Sequence, residues 1–344
     1  MLTNKQIKEI KEHLEKAQNP LFFFDNDNDG LTSFLLLRRY IERGRGIVVK
    51  GSHNLSETYY KRVDELKPDY IFVLDIPNVE ISFLEKCKEA NLPVIWIDHH
   101  NVEGTKDKEV NYYNPYHNDK TNEPVSYLCY KITNRKQDMW IAMIGCFSDY
   151  YLPDFTDEFS KKYPELTIAN IKTPFDLFYK SEIGKIAQML DFSLKDTTTN
   201  VVNMLRFMIE VKEPTDILEE NSKTKRIFQR YEQVNKKYQI LIEKARELVK
   251  GKLLYFQYGG DMSMSSNLAN QLKHEFQDKF VVVVYVKEGS ANISVRGNDT
   301  RRILLEAIDG IEGATGGGHE NACGAKIPSG AIELFKERIE KKVK

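Results

Sequence analysis

Residues 21–30 are Leu21-Phe22-Phe23-Phe24-Asp25-Asn26-Asp27-Asn28-Asp29-Gly30, four apolar residues directly before a run of acidic and amide residues. A short apolar run bounded by turn-forming residues predicts a buried β-strand. Residues 30–44, which follow at once, have the apolar spacing of a helix. A strand that is apolar on both faces predicts a parallel sheet with helices on both sides.

The same alternation of strands and helices extends on both sides of residues 21–30. A helix is predicted over 4–18, strands over 47–49, 70–74 and 93–97, and helices over 56–66 and 79–90. This order predicts an α/β fold with an N-terminal, doubly wound, mostly parallel sheet. From 123 to 250 the apolar spacing is mostly helical, which predicts a helical insert.

The chain changes character again after Gly251. Strands are predicted over 253–256, 280–286 and 291–295, and helices over 266–276, 300–308 and 331–342. The loop Lys287-Glu288-Gly289-Ser290 is typical of a hairpin. We therefore expect a first domain over 1–222 that includes the helical region, a connecting helix over 223–250, and a smaller α/β domain over 251–344.

The composition is that of a globular protein without a membrane segment. The 344 residues carry a net charge of −1, so binding of nucleic acid would require a locally basic groove. No run reaches the roughly 20 apolar residues of a membrane span, and residues 1–16 lack the apolar core of a signal peptide. Cys87, Cys129, Cys146 and Cys323 form no CxxC pair, which argues against a thiolate zinc site and favours the reducing cytoplasm.

Acidic residues and histidines recur at or just beyond the C-terminal ends of predicted strands. They are Asp25, Asp27 and Asp29 after the first strand, Asp75 after the third, Asp98-His99-His100 after the fourth, and Asp149 after the apolar stretch 140–147. In an open parallel sheet, ligands bind beyond the carboxyl ends of the strands. Carboxylate and imidazole ligands suit Mn²⁺ or Mg²⁺, and a pair of such ions activates water for attack at phosphorus.

Two of these features also have plainer interpretations. Asp25, Asp27 and Asp29 match the opening of a calcium-binding EF-hand loop, but the position that should hold a bidentate glutamate is Leu36. Asp75 alone would fit the cap of the helix predicted from residue 79. The recurrence of all the features at one edge of one sheet favours a metal site over either alternative.

The motifs, taken in order, resemble those of the DHH phosphoesterases. Asp98-His99-His100 resembles the motif that names the family, and the segments around Asp27, Asp75 and Asp149 resemble its other metal-ligand motifs. The resemblance continues into the second domain. There, Gly316-Gly317-Gly318-His319 resembles the glycine-rich signature of the associated DHHA1 domain. Ser294-Val295-Arg296 resembles the strand that carries the substrate arginine of that domain.

This resemblance implies a role for each of these residues. Asp25 and Asp27 would hold one metal ion, Asp29, His99 and Asp149 the other, and Asp75 would bridge both. His100 would contact the scissile phosphate, so Asp75 and His100 are the expected catalytic pair. In the second domain, Arg296 would offer a planar fork to a phosphate, and a glycine-rich turn would offer the amides of Gly316, Gly317 and Gly318, with His319 as a further donor.

The first motif resembles that of RecJ-type exonucleases. Phe23 stands where pyrophosphatases and the oligoribonuclease group carry a histidine, and Asp25 lies two residues before the middle aspartate. Without an OB-type domain after the glycine-rich motif, the chain resembles the minimal archaeal RecJ-like nucleases. The resemblance implies a phosphodiesterase with two Mn²⁺, or with Mg²⁺ in their place. We expect it to release mononucleotides from single-stranded DNA or RNA.

Two alternatives stay open. One is hydrolysis of very short substrates, such as nano-oligonucleotides, phosphoadenosine phosphate or cyclic dinucleotides, as in the NrnA-like group. The other is an inactive DHH scaffold in a replication or repair complex, which the presence of every expected ligand disfavours. The expected partner is a helicase or another replication or repair protein, and no membrane contact is expected.

Overall fold

A computed structural model describes residues 1–51, 54–105, 107 and 109–343, and the side chain of His319 lies outside this description. The chain divides into two units, Met1–Tyr231 and Glu232–Lys344. Each unit has a hydrophobic core of its own. Among the described residues, no helix combines the length and the apolar character needed to cross a bilayer.

The first unit begins with the alternation of strands and helices and continues with helices alone. Its elements are α1 (Asn4–Lys16), β1 (Pro20–Asp25), α2 (Asn28–Ile41), β2 (Arg45–Val49), β3 (Asn54–Leu55), α3 (Tyr60–Leu66), β4 (Tyr70–Leu74), β5 (Asn78–Val79), α4 (Ile81–Glu89), β6 (Val94–Ile97), β7 (Asn111–Tyr113), α5 (Pro115–Asp119), α6 (Val125–Thr133), α7 (Met139–Ser148), α8 (Thr156–Lys162), α9 (Pro174–Lys180), α10 (Glu182–Leu194) and α11 (Thr198–Glu210). Short 3₁₀ turns lie at Glu57–Tyr59, Lys136–Asp138, Pro164–Leu166 and Pro214–Ile217.

The main sheet of the first unit is parallel throughout, in the order β2-β1-β4-β6-β7. Phe22 and Phe24 of β1 enter the core that also holds α2, and the Phe24 ring stacks on Phe34 at 4.9 Å between centroids. Leu21 and Phe23 enter the core on the opposite face, with residues of α3 and α4. The predicted α/β fold with a doubly wound parallel sheet is therefore confirmed.

The segment that follows the sheet is helical from α6 to α11, as predicted. Helix α7 is buried on all sides, since Met139 to Phe147 are all buried. A helix enclosed by protein is apolar all round, so its sequence has no amphipathic periodicity and a short apolar run resembles a strand. The apolar stretch before Asp149 is therefore a buried helix, and Asp149 caps its C-terminus instead of following a strand of the sheet.

The second unit begins within a long helix, since the division point of the chain lies inside that helix. The elements from that helix onward are α12 (Lys225–Arg246), β8 (Leu253–Gly259), α13 (Ser265–Glu275), β9 (Phe280–Lys287), β10 (Ser290–Arg296), α14 (Thr300–Ile308), β11 (Thr315–His319), β12 (Ala322–Pro328) and α15 (Ile332–Lys342). The sheet order is β11-β12-β10-β9-β8, with β8 parallel to β9 and the other neighbours antiparallel. The smaller α/β domain is confirmed, and so is its hairpin, in which Glu288 and Gly289 both have positive φ.

The glycine-rich segment has a different conformation from the one predicted. Gly316, Gly317 and Gly318 lie on β11 and pair with β12, so the expected turn is a strand. A Cβ atom at Gly316 would lie 2.8 Å from Ile308 Cδ1, and one at Gly318 would lie 2.6 Å from the Ala322 carbonyl oxygen. Gly316 and Gly318 therefore permit close packing of this strand, which a composition typical of turns does not reveal.

Candidate metal centre

The first three carboxylates lie at the junction of β1 and α2. Asp25 is the last residue of β1, and Asp27 caps α2 by accepting a hydrogen bond from the Gly30 amide at 3.0 Å. Asp29 lies in the first turn of the helix. A Cβ atom at position 30 would lie 2.6 Å from the Asp25 carbonyl oxygen, so this tight junction requires glycine. The expected calcium-loop alternative does not apply, because a strand precedes the motif.

Asp75 follows β4 in a left-handed backbone conformation, with a φ angle of 61°. This conformation costs about 1 kcal/mol for a residue with a Cβ atom, and such strain is concentrated at functional sites. Asp75 is 2% exposed, and its Oδ1 atom has no hydrogen-bond partner among the described residues. A buried carboxylate oxygen without a donor is costly, so a metal ion fits this position.

His99 is oriented by a backbone carbonyl. Its Nδ1 atom lies 3.1 Å from the Asn122 carbonyl oxygen, which accepts a hydrogen bond from that nitrogen. Its Nε2 atom lies 3.4 Å from Asp75 Oδ1 and 3.6 Å from Asp149 Oδ2. A hydrogen bond from Nδ1 is the arrangement that presents Nε2 of a histidine to a metal, so His99 fits the role of a ligand between the two carboxylates.

The structure brings all six predicted ligands together in overlapping groups. Within each group the ligand atoms lie within 4.8 Å of one another, and the groups are Asp25, Asp27 and Asp75; Asp29, His99 and Asp149; and Asp75, His99 and His100. Asp75 and His99 each belong to two groups. The arrangement therefore offers two sets of three ligands that are joined through these two residues.

Four ionisable groups of the centre have raised pKa values, which favour their protonated forms when no cation is bound. Burial and two neighbouring aspartates raise the pKa of Asp27 to about 8. Burial raises the pKa of Asp149 to about 6 and, with like-charged neighbours, raises the pKa of Asp75 well above its usual range. Burial opposes the charged form of His99, but Asp149 and Asp75 outweigh it and raise that pKa. Divalent cations displace such protons when they bind, so the donor set fits them.

Asp98 orients His100. Asp98 Oδ1 accepts a hydrogen bond from His100 Nδ1 at 2.8 Å, and Asp98 Oδ2 accepts bonds from the Tyr112 hydroxyl and from Asn114 Nδ2, both at 3.3 Å. Burial opposes ionisation of Asp98, but the bond from His100 and the histidine charges outweigh it and lower its pKa. The sequence prediction omitted Asp98 from the site, although its place in the motif was a signal that could have included it.

Asp29 is held by the N-terminus of α6. The Val125 amide donates to Asp29 Oδ2 at 2.8 Å, the Ser126 amide donates to Oδ1 at 2.9 Å, and the Ser126 hydroxyl also donates to Oδ1. A helix N-terminus stabilises a carboxylate. Sequence analysis missed these donors because they lie 96 and 97 positions from Asp29 and no local pattern marks them.

In the second unit, Arg296 is already engaged by its surroundings. Its Nε atom donates to Asn270 Oδ1 at 2.5 Å, and its Nη2 atom donates to Ser266 Oγ at 2.9 Å. Its Nη1 atom donates to the carbonyl oxygens of Val295 and Cys323. The expected open fork is therefore closed, because the edge that would bind a phosphate through two bonds holds two side chains of α13.

The glycines of the second unit offer backbone groups from a strand. In the described sheet, Gly316, Gly317 and Gly318 lie on the edge strand β11. An edge strand presents a row of N–H and C=O groups that its own sheet does not pair, so amide donors are available here without a turn. The side chain of His319 lies outside the described residues.

Two family models match the sequence. The model of the DHH family, N-terminal domain, matches residues 21–147, and the model of the DHHA1 domain matches residues 247–344. Together the two matches cover more than half of the chain. The chain belongs to the DHH/DHHA1 family. The DHH match includes every candidate ligand except Asp149, which lies just beyond it.

Solved structures share the fold of this DHH/DHHA1 protein at low sequence identity. RecJ from Thermus thermophilus in complex with Mn²⁺ is 14% identical, with a TM-score of 0.70 over 100% of this chain and 55% of RecJ, so the chain spans about half of that protein. An exonuclease RecJ bound to manganese is 16% identical, with a TM-score of 0.66 over 100% and 95% of the two chains. The pGpG-specific phosphodiesterase PggH from Vibrio cholerae is 11% identical, with a TM-score of 0.50 over 95% and 99%. No curated protein matches the sequence.

Proposed function

We propose that this DHH/DHHA1 protein is a metal-dependent exonuclease that releases mononucleotides from single-stranded DNA or RNA. The observation that carries the proposal is the joining of two ligand sets through Asp75 and His99. Membership of the family supports a phosphoester hydrolase. The fold shared with RecJ supports a nuclease in particular.

The proposed cofactors are two Mn²⁺, with Mg²⁺ as the other candidate. One ion would be held by Asp25 and Asp27, the other by Asp29, His99 and Asp149, and both by Asp75. When bound, such a pair of ions supplies Lewis acidity to the phosphate and lowers the pKa of a water molecule. RecJ structures have been solved with Mn²⁺ and with Mg²⁺, which supports the choice between these two cations.

His100 is proposed to contact the scissile phosphate. The hydrogen bond from its Nδ1 atom to Asp98 fixes the orientation of the ring. A hydrogen bond from Nε2 to a phosphoryl oxygen would offset the charge that develops there. Asp98 is a positioning residue in this scheme, because it acts on the phosphate through His100.

The second unit is proposed to bind the end of the substrate strand. The proposed substrate residues are Arg296, His319 and the amides of Gly316, Gly317 and Gly318. The proposed domains are a catalytic DHH domain over 1–222, a connecting helix over 223–250, and a DHHA1 domain over 251–344 that contains these residues. The match to the DHHA1 domain and the edge position of β11 support this assignment. Because its bonds within the unit use four of the five guanidinium N–H groups, Arg296 would act mainly through its charge and its remaining Nη2 hydrogen.

Hydrolysis of very short substrates is the second candidate function. The fold shared with a pGpG-specific phosphodiesterase supports dinucleotides or cyclic dinucleotides as substrates. An inactive scaffold is disfavoured, because the candidate ligands lie together. For the exonuclease, a helicase or another replication or repair protein is the proposed partner.

The experiment is a time course on end-labelled single strands of DNA and RNA and on dinucleotides, with Mn²⁺, with Mg²⁺ and with EDTA. We expect stepwise release of mononucleotides from the strands, which stops in EDTA and in Asp75→Asn. Asp191→Asn is the matched control, since Asp191 is also buried but pairs with Lys195 outside the centre. Cleavage confined to dinucleotides would support the second candidate function. Absence of cleavage of every substrate would contradict both candidate functions.

A further inference from the structure

Three aromatic side chains of the first unit form a row that the proposed chemistry does not use. Tyr150 directly follows the candidate ligand Asp149, and Phe175 and Tyr179 lie four positions apart on α9. The ring centroids of Tyr150 and Phe175 are 4.7 Å apart, and those of Phe175 and Tyr179 are 6.0 Å apart with an interplanar angle of 13°. All three residues belong to the first unit, as the candidate ligands do.

Tyr150 occupies a backbone position that usually holds glycine. Its φ angle is 61°, its amide donates to the Phe147 carbonyl at 3.2 Å, and the Tyr151 amide donates to the Cys146 carbonyl at 2.9 Å. These two bonds form a Schellman cap at the C-terminus of α7, in which the left-handed residue is most often glycine. A tyrosine there keeps a strained backbone. Strain beside a metal ligand points to a role for the side chain.

Packing of α9 does not account for this row. The helix packs inward through Leu177, which is fully buried, and through Phe178, whose ring centroid lies 5.9 Å from that of the buried Phe147. Phe175 and Tyr179 occupy other positions of the helix and stay partly exposed, and Tyr150 is 37% exposed. The row therefore keeps aromatic surface in contact with solvent, and it begins at the residue that follows the candidate ligand Asp149.

We infer that Tyr150, Phe175 and Tyr179 form a stacking platform for a nucleobase of the substrate, an assignment that rests on the proposed phosphodiesterase function. Consecutive Cα atoms are about 3.8 Å apart, so Tyr150 begins one residue from a group that would hold the metal ions at the scissile phosphate. A base is attached through its sugar to that phosphate, which would bring it within reach of a ring so close to the ligand. Every base has a π face, so the platform accepts DNA and RNA bases alike.

The test compares a short single strand that carries all its bases with a strand of abasic nucleotides that has the same phosphates. The KM of wild type is expected to be lower for the base-bearing strand than for the abasic strand, and the ratio of the two KM values measures the preference. Tyr150→Asn removes the ring and keeps a residue that tolerates the left-handed conformation. This variant should lose roughly 5- to 150-fold of that preference, which corresponds to the stacking of one base. Phe175→Leu should lose part of it, and Tyr150→Phe should retain it.

Tyr40→Leu is the matched control, because Tyr40 is a partly exposed tyrosine at the opposite end of α2 from Asp29, hydrogen-bonded to Glu15. The platform is overturned if Tyr150→Asn keeps the wild-type preference for the base-bearing strand. Failure of wild type to cleave either strand would instead contradict the proposed function.

Binding then tests the platform separately. Titration calorimetry of the same two strands with Ca²⁺ in place of Mn²⁺ requires no turnover. Tighter binding of the base-bearing strand by wild type than by Tyr150→Asn supports the platform. Equal binding of that strand by the two proteins overturns it.

Discussion

Asp98 acts on the centre through one hydrogen bond, from His100 Nδ1 at 2.8 Å. Asp98→Asn replaces the charged acceptor that orients His100, so we expect kcat to fall by roughly 10²- to 10⁴-fold. Mn²⁺ affinity, measured by calorimetry, should stay within about twofold, because Asp98 is not a member of the ligand groups. The double variant Asp98→Asn/His100→Ala should be no slower than His100→Ala alone. Additive losses would show that Asp98 acts independently of His100.

Asn270 is expected to hold Arg296 in the orientation that meets the substrate. Asn270→Ala removes the acceptor of the Nε hydrogen bond, and we expect KM for oligonucleotides to rise several-fold while kcat is nearly unchanged. Arg302→Ala is the control, since Arg302 is an exposed arginine paired with Asp299 and Glu306. A fall in KM would reverse the interpretation, because it would show that Asn270 competes with the substrate for the guanidinium.

At the scale of elements, the junction of β1 and α2 is the part of the fold most sensitive to a single methyl group. Gly30→Ala would place a Cβ atom 2.6 Å from the Asp25 carbonyl oxygen, and overpacking of this kind costs about 1–3 kcal/mol. We expect a lower Tm and weaker Mn²⁺ binding, because the strain acts on the segment that carries Asp25, Asp27 and Asp29. Gly330→Ala is the matched control, since no atom lies within 4 Å of its added Cβ, and its Tm should match that of wild type.

Some secondary-structure elements were predictable from the sequence and others were not. Strand β4 was predicted with its observed bounds, because a short run of apolar residues between turn-forming residues is typical of buried parallel strands. Helix α7 was predicted only as part of a mostly helical region, because burial on all sides removes the helical periodicity that would mark its ends. Strand β11 was not predicted, because glycines that allow close packing have the composition of a turn.

The candidate ligands could be predicted from the sequence, but the hydrogen-bond donors that hold them in place could not. Asp25 and Asp75 stand at strand ends, which the sequence locates. The donors that hold Asp29 lie in Val125 and Ser126. Contacts across such separations are set by tertiary packing, which local patterns do not encode.

For the whole molecule, we expect the stability of the metal-free protein to depend on pH. Asp27, Asp75, Asp149 and His99 all have raised pKa values, so the folded state binds more protons than the unfolded state and loses stability as pH rises. In EDTA, Tm should fall through the window between about pH 6, from Asp149, and about pH 8, from Asp27. Mn²⁺ should raise Tm more at the upper end of this window.

Differential scanning calorimetry across that pH range, with EDTA and with Mn²⁺, measures both effects. Asp75→Asn is the informative variant, because it removes one of the crowded charges. It should be more stable than wild type in EDTA at the upper pH and should gain less from Mn²⁺. A Tm that rises with pH in EDTA would contradict the charge crowding described for the centre.

The candidate ligands are spread over residues 25–149, and Asp149 follows a helix that is itself enclosed by other helices. During translation, the chain therefore leaves the ribosome with an incomplete set of ligands until residue 149 has emerged and α7 has found its place. The order of residues along the polypeptide thus delays completion of the candidate metal centre until most of the first unit has been synthesised.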